Sequence, residues 1–313
     1  MSATAAFISQ LPKAELHLHL EGAVSPSLFN RLCAKHRIAD ATAPQGDAWH
    51  FKDLNEFLIA YAQVCRSMRE AEDFRDATYE TLERAARSQA RYVELFFSPA
   101  AHDETVIGYA SMVDGIVAGM HDARRDFGVT AKLIPAHNRE LGLAPGMAFL
   151  EKVLEHRPVE VIGIGLDYAE RPHPPAQFAP LFAEARRHGL KVTAHAGEDG
   201  PAAYVRDAVE VLGCRRIDHG YHIVEDAELM ARCRELDILF TVCPTTTLHA
   251  TRWRDLRSSE HAIRRMIDGG LRMCINTDDP GLFATDLNRE YALVAEAFGL
   301  SAWRAHCSRW CSS

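Results

Sequence analysis

The stretch A-E-L-H-L-H-L-E-G, residues 14–22, sets two histidines two positions apart in an apolar run and closes on a carboxylate and a glycine. In a strand, successive side chains alternate between faces. His17 and His19 then share one face, and Leu16, Leu18 and Leu20 take the other. Buried polar groups without partners are costly. Two parallel imidazoles in a core therefore need a common partner, and a metal ion is one that takes nitrogen donors. From this stretch alone, two satisfied core histidines remain the competing reading.

Seven further short apolar runs follow. They are R-Y-V-E-L-F-F (91–97), T-A-K-L-I-P-A (130–136), V-I-G-I-G-L-D (161–167), K-V-T-A-H-A (191–196), R-I-D-H-G (216–220), I-L-F-T-V-C-P (238–244) and M-C-I-N-T-D-D (273–279). Helical patterns separate most of them. Residues 180–189, P-L-F-A-E-A-R-R-H-G, have a basic last turn and a glycine at the end, the usual C-terminal signals. Others span 204–212 and 260–269, the latter with an apolar stripe of Ile263, Met266 and Ile267. Strand–helix alternation repeated eight times predicts a parallel (β/α)8 TIM barrel rather than an open sheet. The 313 residues suit that fold, which runs to ~250 residues plus insertions. A single domain over 1–313 is expected. It carries a helical insertion at about 21–90, with helices near 55–69 and 71–88 and a loop at 41–50. The last stretch, 301–313, lacks amphipathic period and reads as an atypical, truncated or frame-shifted tail.

The composition is globular, with 47% hydrophobic and 25% charged residues. A net charge of −8 without a long basic run argues against nucleic acid or an anionic membrane as a partner and favours a small neutral substrate. The eight cysteines form no C-x-x-C pair, so neither a zinc ribbon nor a disulfide framework is expected. The first residues hold too short an apolar run for a secretory signal. No run approaches the ~20 apolar residues of a membrane helix. A reduced, cytoplasmic protein is the expectation.

Barrels of this kind gather reactive groups at the C-terminal ends of their strands. Here those ends read His17, His19, Glu21, Gly22; then Asp167 to Glu170; His195 to Glu198; Asp218-His219-Gly220; and Asn276-Thr277-Asp278-Asp279-Pro280. Five polar ends in register are hard to account for as core histidines, and they favour a metal-dependent site. Two histidines from the first strand, one from the fifth and a carboxylate from the eighth make a three-nitrogen, one-oxygen donor set. That set suits Zn2+, with Fe2+ or another divalent ion also compatible. Such an ion lowers the pKa of a bound water from ~15.7 towards ~7. His219 is placed to take the water's proton or to orient the hydroxide. Glu198, three residues after His195, is positioned to donate a proton to the substrate. Asp279 is free to hydrogen-bond the nucleophile or the substrate. The chemistry is hydrolysis of an amidine-like C–NH2 or of an amide. No lysine ends the fourth strand to bridge two metals, so one ion is expected. The H-x-E…P-C-x-x-C pattern of zinc cytidine-type deaminases is absent.

The ordered set L-P-K-A-E-L-H-L-H-L-E-G, T-A-H-A-G-E, R-I-D-H-G, T-V-C-P and N-T-D-D-P, spread over about 11–295, resembles the adenosine/adenine deaminase family of amidohydrolase barrels. The resemblance implies that His17, His19, His195 and Asp278 hold one zinc ion. It implies that Glu198 protonates the purine N1, that His219 is the base at the water, and that Asp279 contacts the hydroxide or the ring edge. The products would be a 6-oxopurine and ammonia. The segment G-L-D-Y-A-E-R-P-H-P-P is closer to G-L-D-S-S-E, found in free-base adenine deaminases, than to D-L-A-G-D-E of adenosine deaminases. Glu170 then stands where the latter have a glycine, and its carboxylate is expected to accept the ring N–H that only the free base carries, a contact that rejects analogues lacking it. Glu21 replaces an aspartate that meets ribose, and its extra length would crowd that space. Adenine or an N6-substituted adenine is thus expected ahead of adenosine. A non-catalytic zinc barrel is the remote alternative, disfavoured by the presence of Glu198 and His219.

Thr245-Thr246-Thr247 after T-V-C-P departs from the family's usual Leu/Trp-Ser-Asn/Ser and is read as a loop that sets the substrate. Asp218 is read as a partner that orients His219, Asp167 as structural or substrate-facing, and Glu15 as paired within the barrel. His137, His222 and His249 receive no role. Cys307 and Cys311 are read as part of a free tail.

Overall fold

The computed structural model describes residues 3–39, 49, 51 and 54–299. Eight strands lie in chain order: β1 (Lys13–His19), β2 (Ala90–Phe97), β3 (Thr130–Asn138), β4 (Gly163–Asp167), β5 (Lys191–Ala196), β6 (Arg216–His219), β7 (Leu239–Val242) and β8 (Arg272–Ile275). Each pairs in parallel with the next. The last meets the first through a stitched seam. The His19 amide donates to the Asp278 carbonyl at 2.9 Å and the Asp278 amide to the His17 carbonyl at 3.2 Å. Below them the Leu16 amide donates to Asn276 Oδ1 at 2.7 Å. The result is a (β/α)8 barrel.

Helices cover the outside, so strands such as β4 are buried along their whole length, as parallel sheets require. The main core lies between wall and helices, with Val93, Leu133, Ile164, Phe182 and Phe240 among its members. A small separate cluster of Phe96, Ile134 and Ala136 fills the interior. Beneath it Glu94 and Arg216 form an ion pair, and the Arg216 guanidinium lies 5.7 Å from the Phe96 ring centre. The interior is therefore a plugged floor on which a site can be built.

β1 is not a regular strand. Glu15 pairs with Val93 and Leu18 with Leu95, so three steps on β1 match two on β2. This is a β-bulge, which re-aims side chains. Glu15 and Leu18, three residues apart, consequently line one cavity beside Arg84 and Leu287 of the outer helices. The simple alternation expected for the leucines breaks at Leu16, while His17 and His19 still face one centre.

Among the described residues between β1 and β2 run three helices, Pro26–His36, Leu54–Ser67 and Ala71–Arg87. The first begins with a proline behind Ser25, whose hydroxyl accepts the Leu28 amide at 3.2 Å, a standard N-cap. The helix expected at 180–189 occupies Ala179–Arg187, and that at 260–269 occupies Ala262–Asp268. The one expected at 204–212 is a short α-helix, Ala202–Arg206, continuing as a π stretch, Asp207–Val211. Most of the loop at 41–50 and the tail at 301–313, with Cys307 and Cys311, lie outside the described residues. No helix among the described residues is long and apolar enough to cross a membrane.

The helices Ala71–Arg87 and Tyr109–Phe127 pack with almost no gap, because Gly115 and Gly119, one turn apart, face the Ala71–Arg87 backbone. A methyl on Gly119 would stand 2.6 Å from the Arg75 carbonyl oxygen and 2.7 Å from Thr78 Cβ, and one on Gly115 would overlap the Ala71 carbonyl. Overpacking of this kind costs about 1–3 kcal/mol. Gly119→Ala is expected to lower the midpoint of thermal unfolding by several degrees and to leave divalent-ion binding unchanged, since this contact is remote from the strand ends.

Candidate active site

Three strand ends bring three imidazoles and one carboxylate together. Nε2 of His17 and His19 are 3.3 Å apart, and Nε2 of His19 and His195 are 3.1 Å apart. Asp278 Oδ1 is 3.1 Å from His17 Nε2 and 3.5 Å from His19 Nε2. One donor atom from each of the four lies within 4.8 Å of the others, and all four residues are buried. The Phe96 ring packs against the three imidazoles from below, its centre 5.2 Å from those of His17 and His19.

The hydrogen bonds on the far side of the rings fix where the protons are. His195 Nδ1 is 3.1 Å from the Leu166 carbonyl; a carbonyl only accepts, so Nδ1 carries the proton and Nε2 presents a lone pair. The Thr241 hydroxyl donates to Asp218 Oδ1 at 3.0 Å, so its oxygen accepts from His17 Nδ1 at 2.9 Å. His17 Nε2 is again a lone pair. One proton on His19 cannot satisfy both of its neighbours. A cation placed among them would take up their lone pairs, and backing of Nδ1 by carbonyl or carboxylate is the usual support of metal-bound histidine.

Charge follows the same pattern. Burial pushes His17 down, and burial with the neighbouring imidazoles pushes His195 well down. Both shifts favour the neutral imidazole, the form that binds metals. Burial would raise Asp278, but His17, His219 and His19 outweigh it and hold the carboxyl well below the usual range. The cluster fits a divalent ion.

Beside it, His219 Nε2 is 3.5 Å from Glu198 Oε2 and 3.9 Å from Asp278 Oδ2. The Tyr221 phenol lies 3.3 Å from His219 Nδ1 and accepts the Cys243 amide at 2.9 Å. Burial drives Glu198 up to about 7 against the opposing pull of His219. Burial would lower His219, yet Glu198 and Asp278 raise it. His219 (φ 67°) and Asp278 (φ 66°) both adopt left-handed backbone, a strain found at functional sites.

Asp279 stands outside the four-donor group and packs on Gly22. Its Oδ1 is buried with no hydrogen-bond partner. Burial, Asp278 and Glu198 push its carboxyl well up. An orphaned buried acceptor is costly, and a bound molecule carrying N–H or O–H would relieve it.

The structure gives Glu170 a different task from the one its sequence position suggested. Its carboxylate accepts the amides of Gly197 at 2.8 Å, Glu198 at 2.7 Å and Asp199 at 3.3 Å. It is a brace for the loop that carries Glu198, with little capacity left for a substrate N–H. Glu21 is also engaged by the protein. Its Oε1 accepts the Ser98 amide at 2.9 Å and faces His102 Nε2 at 3.1 Å, and its Oε2 faces the Tyr61 hydroxyl at 3.5 Å. Asp218 serves the histidine cluster rather than His219, since it accepts from Thr193 at 2.6 Å and from Thr241. Asp167 accepts the Ser98 hydroxyl. Glu15 accepts the Thr277 amide at 3.1 Å.

Sequence reasoning missed Arg139. The β4–β5 ladder holds only Gly163 with Lys191 and Ile164 with Val192. Above it the strands part, and the fully buried Arg139 guanidinium fills the gap. It donates to the carbonyls of Asp167 at 3.1 Å, Leu166 at 3.3 Å and His195. It thus replaces a missing ladder just where His195 must be held. A lone arginine past a strand end carries no periodic signal, and only the split strands reveal its work.

Comparison with known proteins agrees with this arrangement. The adenosine deaminase family model matches residues 12–306. The chain belongs to the adenosine deaminase family. An adenine deaminase of Sphingopyxis alaskensis is 39% identical over 95% of this chain and 87% of its own length. One from Cupriavidus taiwanensis is 36% identical over 97% of this chain and 87% of its own. Among solved structures, an amidohydrolase from Burkholderia ambifaria with bound Zn superposes with a TM-score of 0.87 at 35% identity, covering 97% of this chain and 86% of that one. The adenine deaminase of Arthrobacter aurescens gives 0.85 at 32%, covering 93% and 90%. As a member of this family the chain is a hydrolytic deaminase.

For such an enzyme the contact of Gly22 with Asp279 is a sharp constraint. An alanine methyl at 22 would overlap the Asp279 carboxylate. A displacement of ~1 Å at a catalytic group costs about a hundredfold in rate. Gly22→Ala is expected to lower deaminase turnover by that order while the purified protein retains its metal content, measured by elemental analysis.

Proposed function

We propose that the enzyme converts free adenine to hypoxanthine and ammonia, with one zinc ion held by His17, His19, His195 and Asp278. The observation that carries the substrate reading is the set of relatives called adenine deaminase, 36–39% identical over 93–97% of this chain. Zinc is supported by the three-nitrogen, one-carboxylate donor set and by the Zn-bound neighbour.

Bound there, the ion supplies Lewis acidity that makes water a nucleophile near neutral pH. The chain's own groups do the rest. Glu198, protonated when its carboxyl is pushed up by burial, donates to the ring N1 and makes C6 electron-poor. His219 takes the proton of the attacking water. Asp279, through its unpartnered Oδ1, accepts a hydrogen bond from the nucleophile or the substrate and so orients it. A C6–O bond forms, a proton returned by His219 to the amino nitrogen lets the C6–N bond break with release of ammonia, and the proton left on the C6 oxygen goes back to Glu198, giving the 6-oxopurine. Glu170 contributes by bracing the loop that carries Glu198, and Glu21 by closing the wall at the end of β1.

Ammonia release from adenine and from adenosine, measured side by side, tests the substrate. Turnover of adenine at least a hundredfold above adenosine is expected; the reverse preference would replace this reading with adenosine deamination. Glu198→Gln should lose about 10²–10⁴ in kcat, the usual share of a general acid. The sign of the pH dependence follows from the donor's role. Glu198 must be protonated, and it titrates at about 7, so kcat/KM should fall as pH rises through that region. A basic limb that persists unchanged in Glu198→Gln would exclude Glu198 as its source.

A further inference from the structure

The three consecutive threonines after β7 are all buried, and each has its own partner on a different element. Thr245 donates its amide to Glu290 Oε2 at 2.8 Å and its hydroxyl to the other oxygen. Glu290, on the helix Leu287–Phe298, also accepts the Thr285 hydroxyl. The Thr247 hydroxyl donates to the Pro244 carbonyl at 2.6 Å and lies 3.3 Å from His261 Nε2. Between these two anchors the Thr246 hydroxyl donates to Asp278 Oδ2 at 2.8 Å. Oδ1 of the same carboxylate is the oxygen that faces His17 and His19.

We propose that Thr246 is a positioning residue that decides which oxygen of Asp278 is offered to the metal. Thr245 and Thr247 hold the short helix Pro244–Ala250 that presents it. The proposal rests on the reading of His17, His19, His195 and Asp278 as the metal donors. The physical reason is rotational freedom. The terminal torsion of an aspartate is broad and roughly two-fold, so a carboxylate without a second contact exchanges its oxygens or turns toward another polar neighbour. His219 Nε2 stands 3.9 Å from Oδ2 and would compete for it. A hydroxyl donor on Oδ2 removes that freedom and leaves Oδ1 to the ion. The threonine run is therefore part of the support of the metal centre.

The test compares the parent with Thr246→Val, which keeps the shape and loses the donor, and Thr246→Ser, which keeps the donor. Apoproteins are prepared by chelation, and Zn2+ affinity is read by competition with a chromophoric chelator, independently of turnover. Thr246→Val is expected to bind Zn2+ about 10–100-fold more weakly, the usual effect of removing a partner of a metal ligand. Thr246→Ser should return to within a few-fold of the parent, and the apoproteins should unfold at similar temperatures. Should the valine variant not fold, Thr246→Ala takes its place in the same comparison. Unchanged affinity in the donor-less variant would overturn the proposal. So would an equal loss in Thr246→Ser, because the hydroxyl would then not be what matters. A parent that binds no Zn2+ would overturn the metal reading and this proposal together, which distinguishes the two failures.

Discussion

An imidazole can offer one nitrogen to a cation only while its other nitrogen holds the proton, and the upper part of this barrel is arranged around that condition. For His195 the condition is met by the Leu166 carbonyl, and for His17 by Thr241, itself committed to Asp218. Those partners need supports in turn. Arg139 caps the carbonyls of β4 and of His195 where the ladder ends, and Thr193 braces Asp218 from β5. A side-chain network satisfied this far inward is rigid, because every member left unpaired in low dielectric would be costly. The donor cluster is thus set by the wall behind it, before any ion arrives.

The parts of this arrangement legible in the sequence are those with a period. The i, i+2 spacing of His17 and His19, the recurrence of apolar runs, and polar residues at the run ends follow directly from strand geometry. The bulge in β1 was not legible, since one extra residue leaves no mark on composition. Nor were Arg139 and His102, which lie in turns after β3 and β2, where no repeat constrains the side chain. Their importance depends on which strands part and which loops fold back, and that is decided by the tertiary structure alone.

Carboxylates illustrate the limit best. Glu170, Glu21 and Asp279 all stand at strand ends and look alike on paper. Once folded, Glu170 faces three amides and Glu21 an amide and an imidazole, while one oxygen of Asp279 has no partner. A sequence locates acidic groups near a site; only geometry distinguishes a brace, a wall and an open acceptor. The same holds for Thr245, Thr246 and Thr247, chemically identical neighbours that reach Glu290, Asp278 and His261.

Asp278 occupies two structural positions at once. Its carboxylate faces the histidines, and its backbone joins the last strand to the first. β8 and β1 share no continuous ladder; the backbone contacts of the seam run through Asp278, and Asn276 and Thr277 add bonds to Leu16 and Glu15. The narrowest closure of the cylinder and the donor cluster are therefore one cooperative unit. Any fluctuation that unzips the seam also scatters the donors, so an ion held by them acts as a clasp on the barrel itself. By linkage, a ligand at free concentration c that binds only the closed form stabilises it by RT ln(1 + c/Kd), which grows with the logarithm of c once c exceeds Kd. Metal supply then governs how long the cylinder stays shut as well as how fast it works.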